Sequence, residues 1–349
     1  MIYMIGWTHS ENGPAGVVKE LKKASEFLHL EDIAFVSLSG NRKDALKKVL
    51  AIFKQNDGSC ICIHSGPYLM CFVLCLLSKI YKKNKYYLVA HGIYKIESIY
   101  ISKPVWYIKY CEKYIYRHYQ NLICVSELCK KQVEEIYGRK EKIYVINNGF
   151  TFHKLQVIHK KELFDLKLFS LGGIKERKGF LEAIELKDYI SKLLNIPVTL
   201  FFYGNYNDND YQKFEKIASN REDISYCGVV RNKEELLTII SQYDIHLSLS
   251  HEDTFNVAIP EALSVGVPTI STIMCGASIF VEDNKNGLVI DIKDNYKDKV
   301  ISYIKCYIAD ENFRTNNRLY AAKSVEGKDW YSVMKKYYAL LTSYISSEI

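Results

Sequence analysis

Several features are missing from this chain of 349 residues, and each absence narrows its chemistry. Its ten cysteines lie in apolar contexts such as Ser59-Cys60-Ile61-Cys62-Ile63 and Cys71 to Cys75, and no Cys pair followed by His has metal-site spacing. That pattern predicts reduced, buried thiols in a cytoplasmic protein. The longest apolar run, Tyr68 to Leu77, falls well short of the ~20 residues that a bilayer-spanning helix needs. The chain opens Met1-Ile2-Tyr3-Met4-Ile5-Gly6-Trp7, a buried-strand pattern without a basic leader, so no signal peptide is expected. No short-period repeat is visible, which excludes a solenoid, and no recognition motif points to nucleic acid. No Asp-x-Asp motif precedes a strand end, so no essential metal is expected.

What is present is an ordinary folding composition, 48% hydrophobic and 25% charged, in a chain long enough for two cores. The charge is uneven. Residues 1–150 hold 22 Lys and Arg against 13 Asp and Glu, a net of +9, while the remainder holds 25 against 27, a net of −2. A basic N-terminal half suits an anionic partner: a membrane surface, a phosphate-bearing acceptor or nucleic acid.

Short apolar runs alternate with longer amphipathic stretches, the pattern of βαβ units and parallel sheets. Strands are predicted at Met1–Gly6, Ile33–Ser37, Cys60–His64, Tyr86–His91, Asn121–Val125 and Lys142–Ile146. Helices are predicted between them, among them Val17–Leu28, Tyr68–Tyr81, Pro104–Tyr119 and Glu127–Tyr137. The last has Ser126 as N-cap and Gly138 just past its end. After Asn147-Asn148-Gly149 and a polar linker, Thr151 to Phe164, the alternation restarts at Leu166-Lys167-Leu168-Phe169-Ser170. Helices there include Lys178–Leu193, Lys233–Tyr243 and Asn256–Val265. The expected architecture is α/β, two Rossmann-like doubly wound domains, residues 1–150 and 151–325. A Tyr-rich helix in 326–349 would pack back on the first.

Four stretches carry candidate chemistry. In Ser248 to Pro268 a buried strand runs through His251-Glu252-Asp253-Thr254-Phe255 into a helix whose first amides, at the positive end of its dipole, suit a phosphate. Asp253 and Glu261 lie eight positions apart, ~12 Å of helical rise, enough to grip two ends of a sugar nucleotide. On spacing alone they serve equally well as a helix-entry residue and a solvated carboxylate. In Phe169-Ser170-Leu171-Gly172-Gly173-Ile174-Lys175-Glu176-Arg177-Lys178-Gly179 a strand ends in a glycine turn with cations at the mouth of the next helix, where they can reach a diphosphate. His91, in Leu88-Val89-Ala90-His91-Gly92, ends a buried strand and can donate to a sugar hydroxyl, although such a His is more often structural. His64 is a weaker candidate of the same kind. Glu11-Asn12-Gly13-Pro14-Ala15-Gly16-Val17-Val18 is a glycine loop between the first strand and helix.

Together these residues resemble the family 4 glycosyltransferases, which have the GT-B fold, two such domains facing a central cleft, and retain anomeric configuration. The paired-acid signature of that family, two Glu separated by seven residues, is similar to Asp253-x7-Glu261, with Phe255 and Glu261-Ala262 matching. Asp replaces the first Glu, and Thr254 and Asn256 replace two glycines. The resemblance implies that Asp253 and the amides of Thr254, Phe255, Asn256 and Val257 hold the donor hexose, and that Glu261 holds the ribose. Lys178-Gly179 is in register with the phosphate clamp of the family, but its Arg falls on Gly173, leaving Arg177 or Lys175 to substitute. His91 takes the place of the family's His-Gly element beside the sugar, and Gly16 that of its glycine loop. Tyr203-Gly204-Asn205 and Cys227-Gly228-Val229 complete the match, Val229 bordering the nucleobase.

The implied activity is transfer of a hexose-type sugar from a nucleoside-diphosphate donor, a UDP-sugar, to a hydroxyl acceptor in bacterial cell-surface glycan or glycolipid assembly. No cofactor is implied. The acceptor is a glycan, a lipid-linked molecule or a protein, and no nucleic-acid partner is expected. Interleaved aromatics and cations from Ile99 to Arg117 suit a lipid headgroup zone, which would place the chain at the inner face of a membrane; a packing helix with a snorkelling edge reads the same way. Two rivals stand beside this reading: a catalytically silent partner or chaperone subunit of the same fold, and a sugar-nucleotide epimerase.

Overall fold

The computed structural model describes residues 1–8, 13–38, 41–65, 68–101, 103–151 and 165–343. The expected linker, apart from Thr151, and Glu11 and Asn12 of the expected glycine loop lie outside the described residues. The chain divides into two units, residues 1–149 with 328–349, and residues 150–327.

The first unit runs β1 (Ile2–Gly6), α1 (Gly13–Phe27), β2 (Ile33–Ser37), α2 (Arg42–Gln55), β3 (Cys60–His64), α3 (Tyr68–Ser78), β4 (Lys85–Ala90), α4 (Tyr94–Glu97), α5 (Trp106–His118), β5 (Asn121–Cys124), α6 (Glu127–Tyr137) and β6 (Ile143–Val145). Its six strands pair parallel in the order β2-β1-β3-β4-β5-β6. Central strands such as β3 are buried on both faces, which is why Cys60-Ile61-Cys62-Ile63 reads as a continuous apolar run without alternation. Eight of the ten cysteines are buried, and all are free thiols. Helix α6 has the expected ends: the Ser126 hydroxyl accepts from Cys129 N at 3.0 Å, and Gly138 takes the left-handed conformation at φ 70°.

The second unit runs β7 (Leu166–Ser170), α7 (Phe180–Leu194), β8 (Val198–Tyr203), α8 (Asp208–Ala218), β9 (Ile224–Gly228), α9 (Lys233–Ile240), β10 (Ile245–Ser248), α10 (Ala258–Ser264), β11 (Thr269–Thr272), β12 (Gly287–Ile290), α11 (Lys297–Ala309) and α12 (Glu311–Ser324). The six strands are again all parallel, in the order β12-β11-β10-β7-β8-β9. Leu168, Leu200, Leu247 and Ile270 on these strands meet Phe180, Ile184 and Ile304 of the covering helices in one core. A last helix, α13 (Trp330–Thr342), belongs to the first unit, where it packs on α1; Phe27 and Tyr331 bring their rings to 4.6 Å.

Three helix boundaries differ from expectation at the places that matter for a site. Helix α1 begins at Gly13, so Gly16 lies in its first turn and not in a loop. The helix expected from Lys178 begins at Phe180, after a 3-10 turn at Glu176–Lys178. The helix expected from Asn256 begins at Ala258 and is seven residues long, because Asn256 is left-handed at φ 67° and cannot continue a right-handed turn. Helix α12 has no apolar stripe to predict it: the face it buries carries Arg314 and Arg318. Their guanidiniums donate to the end carbonyls Tyr307 O and Ile308 O (Arg314) and Ser241 O and Tyr243 O (Arg318) at 2.8–3.0 Å.

Candidate active site

In a doubly wound sheet the loops diverge where successive strands are laid down on opposite sides of the first, leaving a crevice at the carboxyl edge. In the second unit that place lies between β7 and β10. The two loops that open there are 171–179, after β7, and 249–257, after β10, and they are laced together. His251 N donates to Arg177 O at 2.9 Å, and the Arg177 guanidinium donates to Glu252 O at 2.8 Å. Gly179 is left-handed at φ 73°, and a Cβ on it would stand 1.9 Å from Leu249 O, so only glycine allows this approach. From the side, Asp210 at the start of α8 accepts from Glu176 N at 2.9 Å, which pins the cationic turn.

This lacing brings Lys178 into contact with Asp253, Lys178 Nζ on Asp253 Oδ2, with Arg177 also 3.5 Å from the buried Glu252 carboxylate. Burial pushes the Asp253 carboxyl up, but the Lys178 and Arg177 charges together outweigh it and hold it below the ordinary carboxylate value. Lys175 is depressed by burial first and then by its neighbours Lys178 and Arg177. Lys178 and Arg177, with Lys175 near them, set a cluster of cations against the Asp253 and Glu252 carboxylates at the crevice, and cations so placed can attract a phosphate group. Asp253 is itself locked from behind, its N–H donating to Met274 O and its carbonyl accepting from Gly276 N, both at 2.9 Å.

Glu261, on α10, is 4% exposed, and Lys233 at the start of α9 stands 2.5 Å from its Oε1. Here burial raises the carboxyl, and Lys233 draws it only part of the way back. Lys233 gives no signal in the sequence, being one cation among 47 Lys and Arg. Gly173, Gly204 and Gly228 gather at the ends of β7, β8 and β9 through Gly173 N to Tyr203 O and Gly204 N to Gly228 O, both 2.8 Å. Val229 follows, 49% exposed.

Gly173 is left-handed at φ 68°, and a Cβ on it would fall 1.9 Å from Asn205 O, so no arginine fits where the family pattern has one. Asn256 stands where the pattern has glycine and adopts φ 67°, a conformation that Asn tolerates better than other side chains. Its amide donates to Ser248 Oγ at 2.8 Å. Thr254 and Phe255 are buried, Phe255 against the Phe280 ring at 6.2 Å with its N–H donating to Asp253 Oδ1 at 3.4 Å. Val257 is half-buried.

In the first unit His64 ends β3 and His91 follows β4. His64 Nδ1 and His91 Nε2 are 3.0 Å apart, with the rings stacked at 5.2 Å. Burial lowers His91 to about 4, so at neutral pH it is an uncharged imidazole that can donate from one nitrogen only. Gly16 has no steric reason to be glycine, since a Cβ there meets nothing within 4 Å. Among the described residues no cluster of three or more His, Cys, Asp or Glu could hold a metal ion.

Residues 28–153 match the family model described as Glycosyltransferase Family 4, and residues 153–320 the one described as Glycosyl transferases group 1. The chain is similar to the lipopolysaccharide core biosynthesis glycosyltransferase LpsE of Rhizobium meliloti (strain 1021), 27% identical over 208 residues. That match spans 57% of this chain and 57% of LpsE, little more than half the length of the relative. Among solved structures, the glycosyltransferase of Rickettsia africae ESF-5 has a TM-score of 0.73 at 16% identity, covering 99% of this chain and 98% of that one. Anabaena HepE, solved with UDP and glucose, has a TM-score of 0.71 at 16% identity, covering 98% and 99%.

Proposed function

Because the chain belongs to the family 4 glycosyltransferases of the GT-B fold, we propose that it transfers a hexose from a UDP-sugar to a hydroxyl acceptor in surface-glycan assembly, with retention and without a metal. The observation that carries this reading is the Lys178–Asp253 contact at the strand crossover, with Arg177 beside it. Lys178 and Arg177 stabilise the charge that develops on the leaving diphosphate, and Arg177 takes over from the arginine that Gly173 excludes. The amides of Thr254 to Val257 assist there. Asp253 positions the sugar, and the uncharged His91 of the first unit is a hydrogen-bond donor for a substrate hydroxyl. Glu261 accepts from the ribose hydroxyls, which replace Lys233 as its partner or join it. Gly204 and Val229, which follow β8 and β9, border the rest of the donor. The basic first unit works at a membrane face.

The test is a thermal-shift panel of nucleotide sugars, followed by turnover of the donor that stabilises most. Product NMR showing the donor's own anomeric configuration and activity that survives EDTA are expected. An inverted product overturns retention, and rescue of a chelated enzyme by magnesium overturns metal independence. No binding of any nucleotide would instead favour the silent-partner reading. Recovery of an epimerised sugar nucleotide without acceptor would favour the epimerase.

A further inference from the structure

The ends of β3 and β4 lie side by side, with His64 opposite Val89 in a parallel register, so the residues that follow them are neighbours as well. Two hydrogen bonds tie them: Ser65 N donates to Val89 O at 2.9 Å, and His91 N donates to Ser65 Oγ at 3.2 Å. Beyond His91 the chain is held by α5. Tyr116 OH donates to Gly92 O at 2.6 Å, and the buried Glu112 carboxylate accepts from Tyr94 N at 2.5 Å and from Lys95 N at 2.9 Å. Gly6, at the end of β1, makes room for His64, since a Cβ there would stand 3.3 Å from His64 Cβ. The fold thus builds the 3.0 Å contact between the His64 and His91 rings from three strands and a helix.

The two histidines are not equivalent. His64 is 1% exposed, with its ring centre 6.1 Å from that of Tyr337 on α13, so it cannot itself reach a ligand. His91 is half-buried. Burial keeps both rings uncharged at neutral pH, and an uncharged imidazole carries one N–H. A hydrogen bond between His64 Nδ1 and His91 Nε2 uses one proton, which leaves two arrangements. If His91 Nε2 were the donor, the proton of His64 would sit on its Nε2. That nitrogen is buried and has no hydrogen-bond partner among the described residues, and a buried N–H without an acceptor bears the full cost of its lost water contact. If His64 Nδ1 is the donor, its Nε2 is a bare acceptor, which folded proteins leave unmet more often than an N–H. The single proton of His91 then sits on Nδ1, because the bond made by one ring nitrogen sets the state of the other.

We propose that His64 is a positioning residue: its Nδ1 donates to His91 Nε2, which fixes the His91 proton on Nδ1, the atom from which His91 donates to the substrate hydroxyl. The last clause rests on the transferase reading above; the place of the proton does not.

Protonated and bare ring nitrogens give distinct nitrogen-15 signals, so long-range proton–nitrogen NMR of the full chain with labelled histidine reads the proton directly at neutral pH. Signals lost in His91→Phe identify His91. The expected wild-type spectrum has a protonated Nδ1 and a bare Nε2 on His91. A spectrum with that proton on Nε2 overturns the proposal, whether or not any variant folds. His64→Phe keeps a stacked ring and removes the donor, and the His91 proton should then divide between the two nitrogens. In His64→Asn the side-chain amide takes the place of Nδ1–H and should return the proton to Nδ1. An unmoved proton in His64→Phe overturns the positioning role. With the nucleotide sugar that is turned over, kcat should fall about tenfold in His64→Phe at little change in KM and recover in His64→Asn. A kcat lowered equally in both variants would give His64 a merely structural role and overturn the proposal. An unchanged kcat in His64→Phe with its proton moved removes the last clause. The expected spectrum in a wild type that turns over no nucleotide sugar would fault the transferase reading alone.

Discussion

Asp253 and Glu261 carry the same functional group and meet opposite electrostatics. Two neighbouring cations hold Asp253 ionised against its burial, whereas Glu261 is raised by burial with one cation beside it. This split fits two roles, a charge fixed beside a diphosphate and a hydrogen-bonding carboxyl for ribose. Glu261→Ala is expected to weaken UDP binding by roughly 1–3 kcal/mol, read by calorimetry, as its hydrogen bonds are lost. Unchanged affinity would remove the ribose assignment. Asp253→Ala should behave differently, because UDP lacks the sugar that Asp253 is proposed to hold. Turnover of the sugar nucleotide should fall roughly 10²-fold while UDP affinity changes less. A loss confined to UDP affinity would contradict that. The seven-residue spacing of the two acids was legible in the sequence; their environments were not, since Lys233 reaches Glu261 only through the fold.

At the scale of elements, the loop after β10 is tied to α7 as well as to the cationic turn. His251 Nε2 and Glu182 Oε1 are 2.7 Å apart. The hydrogen bond to Glu182 raises His251 above its usual value of 6.5; burial raises Glu182, but the bond to His251, its own backbone amide and the His251 charge together outweigh burial and leave Glu182 below its usual 4.5. A raised histidine contributes stability that is fully present below its unfolded value and is lost as pH rises through the folded one. A lowered carboxylate contributes above its unfolded value and loses that contribution as pH falls through the folded one. The pair therefore stabilises the loop most between about 4.5 and 6.5. Urea unfolding should show Glu182→Gln costing more stability at pH 6 than at pH 8. An equal cost at both would show that the contact is not ionic. Neither residue had a signal in sequence, because 69 positions separate them.

On the scale of the whole molecule, residues 150–327 are a unit that holds the proposed nucleotide site, and residues 1–149 with α13 are another. A ligand stabilises what it binds: UDP at about 100 times its Kd should add about 2.7 kcal/mol to the unfolding transition of the 150–327 unit. Calorimetric scans of the full chain would show which transition moves. A shift confined to the other transition would move the nucleotide site out of the second unit.

The sequence by itself determined the two α/β units, the parallel strands and the acid and lysine motifs. Strands buried on both faces need continuous apolar runs, and short loops at strand ends need glycine and polar residues at fixed spacing, so these features are written locally. Only the tertiary structure decided what the motifs face. It set Lys178 and Arg177 against Asp253 and Lys233 against Glu261. It showed that Gly173 has no room for a side chain, that Asn256 can stand in for glycine, and that α12 buries arginines. It also brought His64 onto His91. Each of these depends on atoms brought together from distant parts of the chain, and charge, steric clearance and exposure depend on that distance in space, not on position in the chain.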